Sequence, residues 1–205
     1  MRLYDKYILP NLVHMACKHR PAMRQREKVV PLAHGRVLEV GLGSGLNLPY
    51  YDASKVSKLW GLDPSLEMIK MAEKRTQAMS FDVELIGLPV EELPLETNSV
   101  DTVLVTYTLC TISDIQLALR EMARVLKPGG ELVFCEHGVA PDARIRRWQS
   151  CINPVWKRIG GGCNLNRDIP QLIEQGGFRI KGMKSKYIPG WRPACFNYWG
   201  TATHI

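Results

Sequence analysis

The chain has 205 residues, of which 45% are hydrophobic and 23% charged, and its 27 Lys and Arg against 20 Asp and Glu give a net charge of +7. That length suits one domain with a substantial core, and the composition sets aside disordered, fibrous and collagen-like classes. No run approaches the roughly 18 apolar residues of a membrane span, so no spanning helix is expected.

The charge is unevenly placed: residues 1–36 carry +6, residues 37–136 carry −7 and residues 137–205 carry +8. Two readings stay open. The basic ends are a solvated surface pairing with the acidic middle, or they attract an anionic substrate, membrane or nucleic acid. No aromatic-basic RNA motif is present, so nucleic acid is not an expected partner. The start, "MRLYDKYILPNLVHMACKHR", lacks the apolar core and cleavage site of a signal peptide, and a cytoplasmic protein is the expectation. The six cysteines form no C-x-x-C pair and no zinc spacing with histidine. They read as reduced thiols, several of them buried, and no metal site is expected.

In chain order, residues 3–18 and 21–33 read as two helices, with Pro10 kinking or dividing the first. Short, mostly apolar runs then follow at 36–40, 58–63, 82–86, 101–107 and 131–137, suited to buried parallel strands. Helical patterns lie between them. Residues 64–79 place Leu66, Ile69 and Ala72 at helical spacing, and 113–126 place Ile115, Leu119, Met122 and Leu126 on one face behind Ser113 as N-cap. "KPGG" at 127–130 ends that helix. Helices around 143–159 and 169–176 precede two successive strand-like segments, which suggests a terminal antiparallel hairpin. The alternation predicts a doubly wound α/β sheet in one domain, residues 1–34 forming a helical lid and 35–205 the core.

"EVGLGSG", beginning at Glu39, follows the first strand, where ligands of such sheets bind. The spacing is not the dinucleotide G-x-G-x-x-G, because Leu46 stands where its last glycine belongs, and a P-loop lysine is missing. Glu39, two positions before Gly41, suits a cation better than a pyrophosphate. Asp63, ending the second strand, is placed to accept hydrogen bonds from ribose hydroxyls. A ribose, a positive charge and no phosphate describe S-adenosylmethionine.

"LEVGLGSGLN", "GLDPS", "ARVLKPGGELVF" and the closing hairpin resemble the class I S-adenosylmethionine-dependent methyltransferases over most of the chain. The resemblance implies a seven-stranded, mostly parallel sheet with an antiparallel last strand. It also implies that Gly41 and Gly43 pass close to the methionine part and that Glu39 receives its ammonium, directly or through water. Asp63 then holds the ribose, Pro64 borders the adenine, Val90 and Glu91 lie along the adenine edge, and Thr106 closes the floor. Many relatives carry an acidic residue where this chain has Pro89, which leaves backbone groups for the adenine.

Further on, "CEH", "NPVW" and "GCNLNR" resemble the thiol methyltransferases of that class, within roughly residues 104–170. The acceptor implied is a small molecule, a thiol by preference. His137, closing the fifth strand, is the candidate base, with a bond to backbone that orders the next loop as the alternative. Glu136 orients it or caps the following segment. Asn164 is placed to reach over the substrate, and Asp168 to cap the next helix. Tyr4 and Tyr7 form a lid over the methionine end or pack on the sheet. Cys110 and Cys163 read as packing or pocket lining. Two other functions stay open: N-methylation of a phospholipid head group or small amine, with the basic flanks on an anionic membrane, and a non-catalytic subunit that binds S-adenosylmethionine. Oligomeric state is not legible.

Overall fold

The computed structural model describes residues 3–205, with the side chains of Asp5 and Lys6 outside the description. Seven strands form one sheet in the order β3-β2-β1-β4-β5-β7-β6. They are β1 (Gly35–Val40), β2 (Val56–Leu62), β3 (Asp82–Ile86), β4 (Val100–Thr106), β5 (Leu126–His137), β6 (Phe178–Tyr187) and β7 (Phe196–His204). The first five pair in parallel, while β7 runs antiparallel between β5 and β6. Successive strands are added outward in opposite senses on either side of β1 and β4, which opens a crevice at their carboxyl ends.

Alternation along the central strands explains why both faces are covered. Leu38 and Val40 of β1 point into one apolar cluster, and Val37 points into the other. The first cluster receives α4 (Ile115–Val125) through Ala118, Leu119 and Met122. The second receives Val29 from α2 (Arg20–Val29) and Ala72 from α3 (Leu66–Thr76). Each large side chain so buried contributes about 1.5–3 kcal/mol.

Two local expectations shift. Leu66 is 57% exposed, and Met68 joins Ile69 and Ala72 on the buried face of α3. The N-cap of α4 is Asp114, which accepts from Leu117 N at 3.0 Å, one residue after the expected Ser113. Pro10 does mark a division: a π-helical turn, Tyr4–Ile8, precedes α1 (Leu9–Cys17), in which Pro10 sits in the first turn. Asp168 caps α6 (Ile169–Gln175) by accepting from Gln171 N.

The helix α5 (Ala143–Ile159) is fixed by one polar residue. Gln149 is fully buried; its Nε2 lies 3.0, 2.9 and 2.8 Å from the carbonyls of Gly138, Leu165 and Pro193, and its Oε1 accepts from Ala140 N at 3.0 Å. Four backbone groups from three segments, the loop after β5, Leu165 and Pro193, thus meet in one side chain. Gln149→Leu keeps the volume and leaves them unpaired, so unfolding free energy should fall by about 2–4 kcal/mol in denaturant titration. A change below about 0.5 kcal/mol, the scale of a surface substitution, would contradict this account.

Candidate active site

A cavity of about 390 Å³ occupies the crevice beyond β1, β2 and β4. Its floor is the glycine turn after β1. Gly41 has φ +73°, and a Cβ there would lie 2.1 Å from Thr108 Oγ1, so the turn can pass the loop after β4 only without a side chain. Gly43 N donates to Asp63 Oδ2 and Ser65 N to Asp63 Oδ1, both at 2.9 Å. Burial raises the Asp63 carboxyl and these two bonds oppose the rise.

Gly41, Gly43, Asp63, Pro64, Val90, Glu91 and Thr106 all line the cavity. Glu39 does not. It is 1% exposed, accepting from Asn47 Nδ2 at 2.9 Å and from Tyr51 Oη at 2.6 Å. Of the two expected ways of receiving an ammonium, directly or through water, the direct one does not fit a carboxylate that lies behind the wall. The strand's alternation turns its side chain toward Asn47 and Tyr51 and away from the crevice.

Tyr4 also lies off the cavity wall, donating to Ile159 O at 2.6 Å. The N-terminal wall is built by α1 instead, through Leu9, Val13, His14 and Cys17. His14 Nδ1 lies 2.6 Å from Ser44 Oγ, which ties α1 to the glycine turn, while burial and then Arg75 hold its pKa below the usual histidine value.

Arg26 of α2 is the residue that sequence reasoning missed. It is 5% exposed and is the only Lys or Arg on the cavity wall among the described residues. Its Nη1 donates to Thr106 Oγ1 at 2.6 Å and to Asn47 Oδ1 at 2.8 Å, its guanidinium faces the Tyr107 ring, and its Nε has no partner. No ion pair to it occurs among the described residues. Only the abundance of basic residues near the N-terminus hinted at it, since a single arginine in a polar helix carries no motif.

Tyr107 has φ +55°, an uncommon conformation for a bulky residue, at the end of β4. Glu136 holds that turn: its Oε1 accepts from Thr108 N at 2.7 Å and from Leu109 N at 3.1 Å. Glu136 thus neither orients His137 nor caps the following segment. His137, the expected base, is not on the cavity wall either. Its Nε2 lies 3.3 Å from Cys163 Sγ. Burial pulls its pKa down, but the Cys163 sulfur outweighs this and leaves it raised. The Cys163 thiol is lowered by a hydrogen bond from Cys110 and by the His137 charge, against its own burial. Asn164 is tied down rather than reaching outward, its Nδ2 donating to the carbonyls of Cys110 and Gly162 at 2.9 Å.

A sheet in this order, with a glycine turn and an acidic second strand end facing one crevice, defines the fold of a class I methyltransferase. Residues 38–134 match the family model described as a methyltransferase domain. Thiol S-methyltransferase TMT1B from Rattus norvegicus is 32% identical over 175 residues, covering 82% of this chain and 68% of the relative. A phosphatidylethanolamine N-methyltransferase from Cereibacter sphaeroides is 36% identical over 105 residues, about half of each chain. Among solved structures, an S-adenosylmethionine-dependent methyltransferase from Leishmania major superposes with a TM-score of 0.73 at 15% identity, covering 98% of this chain and 80% of its own. The chain belongs to the S-adenosylmethionine-dependent methyltransferase family, and S-adenosylmethionine is its cofactor.

The residues fit that cofactor. Gly41 leaves no room for a side chain, the Asp63 carboxylate keeps lone pairs beyond its two backbone bonds, and Arg26 brings to the wall a cation with no ion pair among the described residues.

Burial pushes the Glu39 carboxyl up to about 7, with the Tyr51 bond opposing. A folded-state value above the unfolded one stabilises the protein below the unfolded pKa, and that stability is lost as pH rises through about 7. The wild type should therefore lose up to about 3 kcal/mol more than Glu39→Gln between pH 5 and 8. Parallel pH profiles for the two proteins in denaturant unfolding would show that Glu39 is already ionised at pH 5.

Proposed function

We propose that this methyltransferase acts on a small, largely apolar acceptor, a thiol by preference, with its 205 residues working as one domain. The observation that carries this reading is the cavity wall, where apolar side chains of α1 and the loops surround one guanidinium and one imidazole. The extended similarity to a thiol S-methyltransferase supports the thiol.

S-adenosylmethionine, when bound, supplies an electrophilic methyl group on a sulfonium. In this assignment Asp63 accepts from the ribose hydroxyls with its remaining lone pairs, and Gly41 and Gly43 let the main chain approach the methionine part. Pro64, Val90 and Glu91 border the adenine. Arg26 takes the methionine carboxylate in a charge-assisted bond, while Asn47 and Thr106 hold the guanidinium and Glu39 holds Asn47. Leu9 and Val13 exclude water, which strengthens attraction between a thiolate and a cationic centre.

A thiol of pKa about 8.5 is mostly protonated at neutral pH, so a proton acceptor raises its reactive fraction. His14 replaces His137 in that role, because it lines the cavity and its lowered pKa keeps the ring neutral. Orientation does the rest, since displacement at a methyl group needs no covalent enzyme intermediate.

Asp63→Ala and Arg26→Met should each weaken S-adenosylhomocysteine binding by about 1.5–3 kcal/mol in calorimetry. Unchanged affinity in both would remove the cofactor assignment of these side chains. His14→Ala should lower thiol methylation about 10²-fold near neutral pH and regain part of it above the thiol's own pKa. A deficit equal at every pH would make His14 a packing residue. In an acceptor screen of thiols, amines and lipid head groups, methylation of amines or lipids alone would overturn the thiol preference.

One further observation bears on location. Leu3, Ile8, Leu12 and Met15 are exposed at the N-terminal helices, and Val155 and Ile159 are exposed on α5, which Tyr4 joins through Ile159 O. No described helix is long and apolar enough to cross a membrane. With the basic ends, this patch supports peripheral docking on an anionic membrane from the cytoplasm. Flotation with anionic vesicles should show binding at low salt that fades near physiological ionic strength, and Leu12→Glu with Ile159→Glu should abolish it. No binding at low salt would leave the charge as solvated surface.

A further inference from the structure

Three soft donors from distant parts of the chain meet behind the cavity wall. Cys110 lies in the turn after β4, His137 closes β5, and Cys163 belongs to the glycine loop after α5. Their donor atoms all lie within 4.8 Å of one another, and His137 Nε2 and Cys163 Sγ are 3.3 Å apart. Cys110 and His137 are buried, Cys163 is half-buried, and both thiols are free. Packing accounts for a buried cysteine, which behaves as a small apolar group. It does not account for the imidazole, which is 9% exposed and whose Nδ1 has no partner.

We propose that Cys110, His137 and Cys163 form a binding site for one thiophilic divalent ion, zinc by preference. A tetrahedral zinc with sulfur at about 2.3 Å and nitrogen at about 2.0 Å sets its donor atoms roughly 3.4–3.8 Å apart. The cluster reaches that spacing with shifts of about an ångström. Two thiolates and an imidazole select zinc over magnesium or calcium, which prefer oxygen. Three protein ligands leave a fourth position for water or a small exogenous ligand.

The surroundings hold the donors in place, as outer partners do at metal centres. Asn164 N and Nδ2 both donate to Cys110 O at 2.9 Å, which fixes the residue after Cys163 against Cys110. Arg167 brackets Cys110, donating to the carbonyls of Leu109 and Ile112. The ion would staple two cavity-lining segments, around Tyr107–Ile112 and Gly160–Gly161, to the end of β5.

The test is titration of the reduced, metal-free full chain with Co²⁺. One equivalent should bind, with a thiolate-to-cobalt charge-transfer band that zinc displaces. Cys110→Ser and Cys163→Ser should each bind at least tenfold more weakly, with about half the band intensity at saturation, and the double variant should lose the band, while Cys151→Ser, at an exposed cysteine, should match the wild type. S-adenosylhomocysteine binding reports that each variant is folded. X-ray absorption of the zinc-loaded wild type needs no variant and should show two sulfur donors and at least one imidazole. No charge-transfer band in the reduced wild type would overturn the site, as would a band that survives in the Cys110→Ser, Cys163→Ser double variant. A Cys110–Cys163 disulfide formed under mild oxidation, in a protein that binds no cobalt when reduced, would also overturn it.

Discussion

A guanidinium that is 5% exposed and has no carboxylate in ion-pair contact among the described residues is costly to bury, and Arg26 is held in that state by an amide, a hydroxyl and an aromatic face. Those three partners come from the loop after β1, the end of β4 and the residue beyond it. The N-terminal helices are thereby joined to both strands that border the crevice. α1 can then line the cavity, and its His14 reaches Ser44 in the glycine turn. The buried charge also gives the cavity one sign at one end, which an anionic group of a ligand relieves. Assembly of the site and its affinity for a carboxylate thus share one cause.

The turn after β4, which supplies that aromatic face, depends on a strained backbone. Tyr107 adopts a left-handed conformation that Glu136 stabilises from the neighbouring strand through two backbone N–H groups. Burial raises the Glu136 carboxyl to about 7, against those two bonds. The Tyr107 hydroxyl reaches Asn197 on β7 at 2.7 Å, so the antiparallel strand braces the same turn. Strand β7 therefore does more than close the sheet.

Much of the fold was legible because its signals are local. The strand run at 82–86, the helix at 143–159 and the glycine turn all depend on periodicity and on residues next to one another, whereas β5 begins at Leu126 and takes in the KPGG expected to separate it from the preceding helix. Errors appeared where a choice between neighbours is made by packing. Met68 displaced Leu66 on α3 because the sheet beneath accepts only one face. Asp114 displaced Ser113 as a cap because its carboxylate meets Leu117 N, which leaves Ser113 to the cavity.

By itself the sequence determined the doubly wound sheet, its antiparallel hairpin, the glycine turn and the acidic end of β2, because each follows from short-range periodicity or spacing. Only the tertiary structure decided which side chains outside the glycine turn and the strand-end motifs face the crevice. Glu39 sits two residues from Gly41 yet turns away from it, while Arg26 and His14 reach it from helices with no motif. Cys110, His137 and Cys163 carry no readable spacing, and folding alone brings them together. The physical reason is that a strand's pleat and a helix's docking angle set where a side chain points, and both are fixed by contacts between segments far apart in the chain.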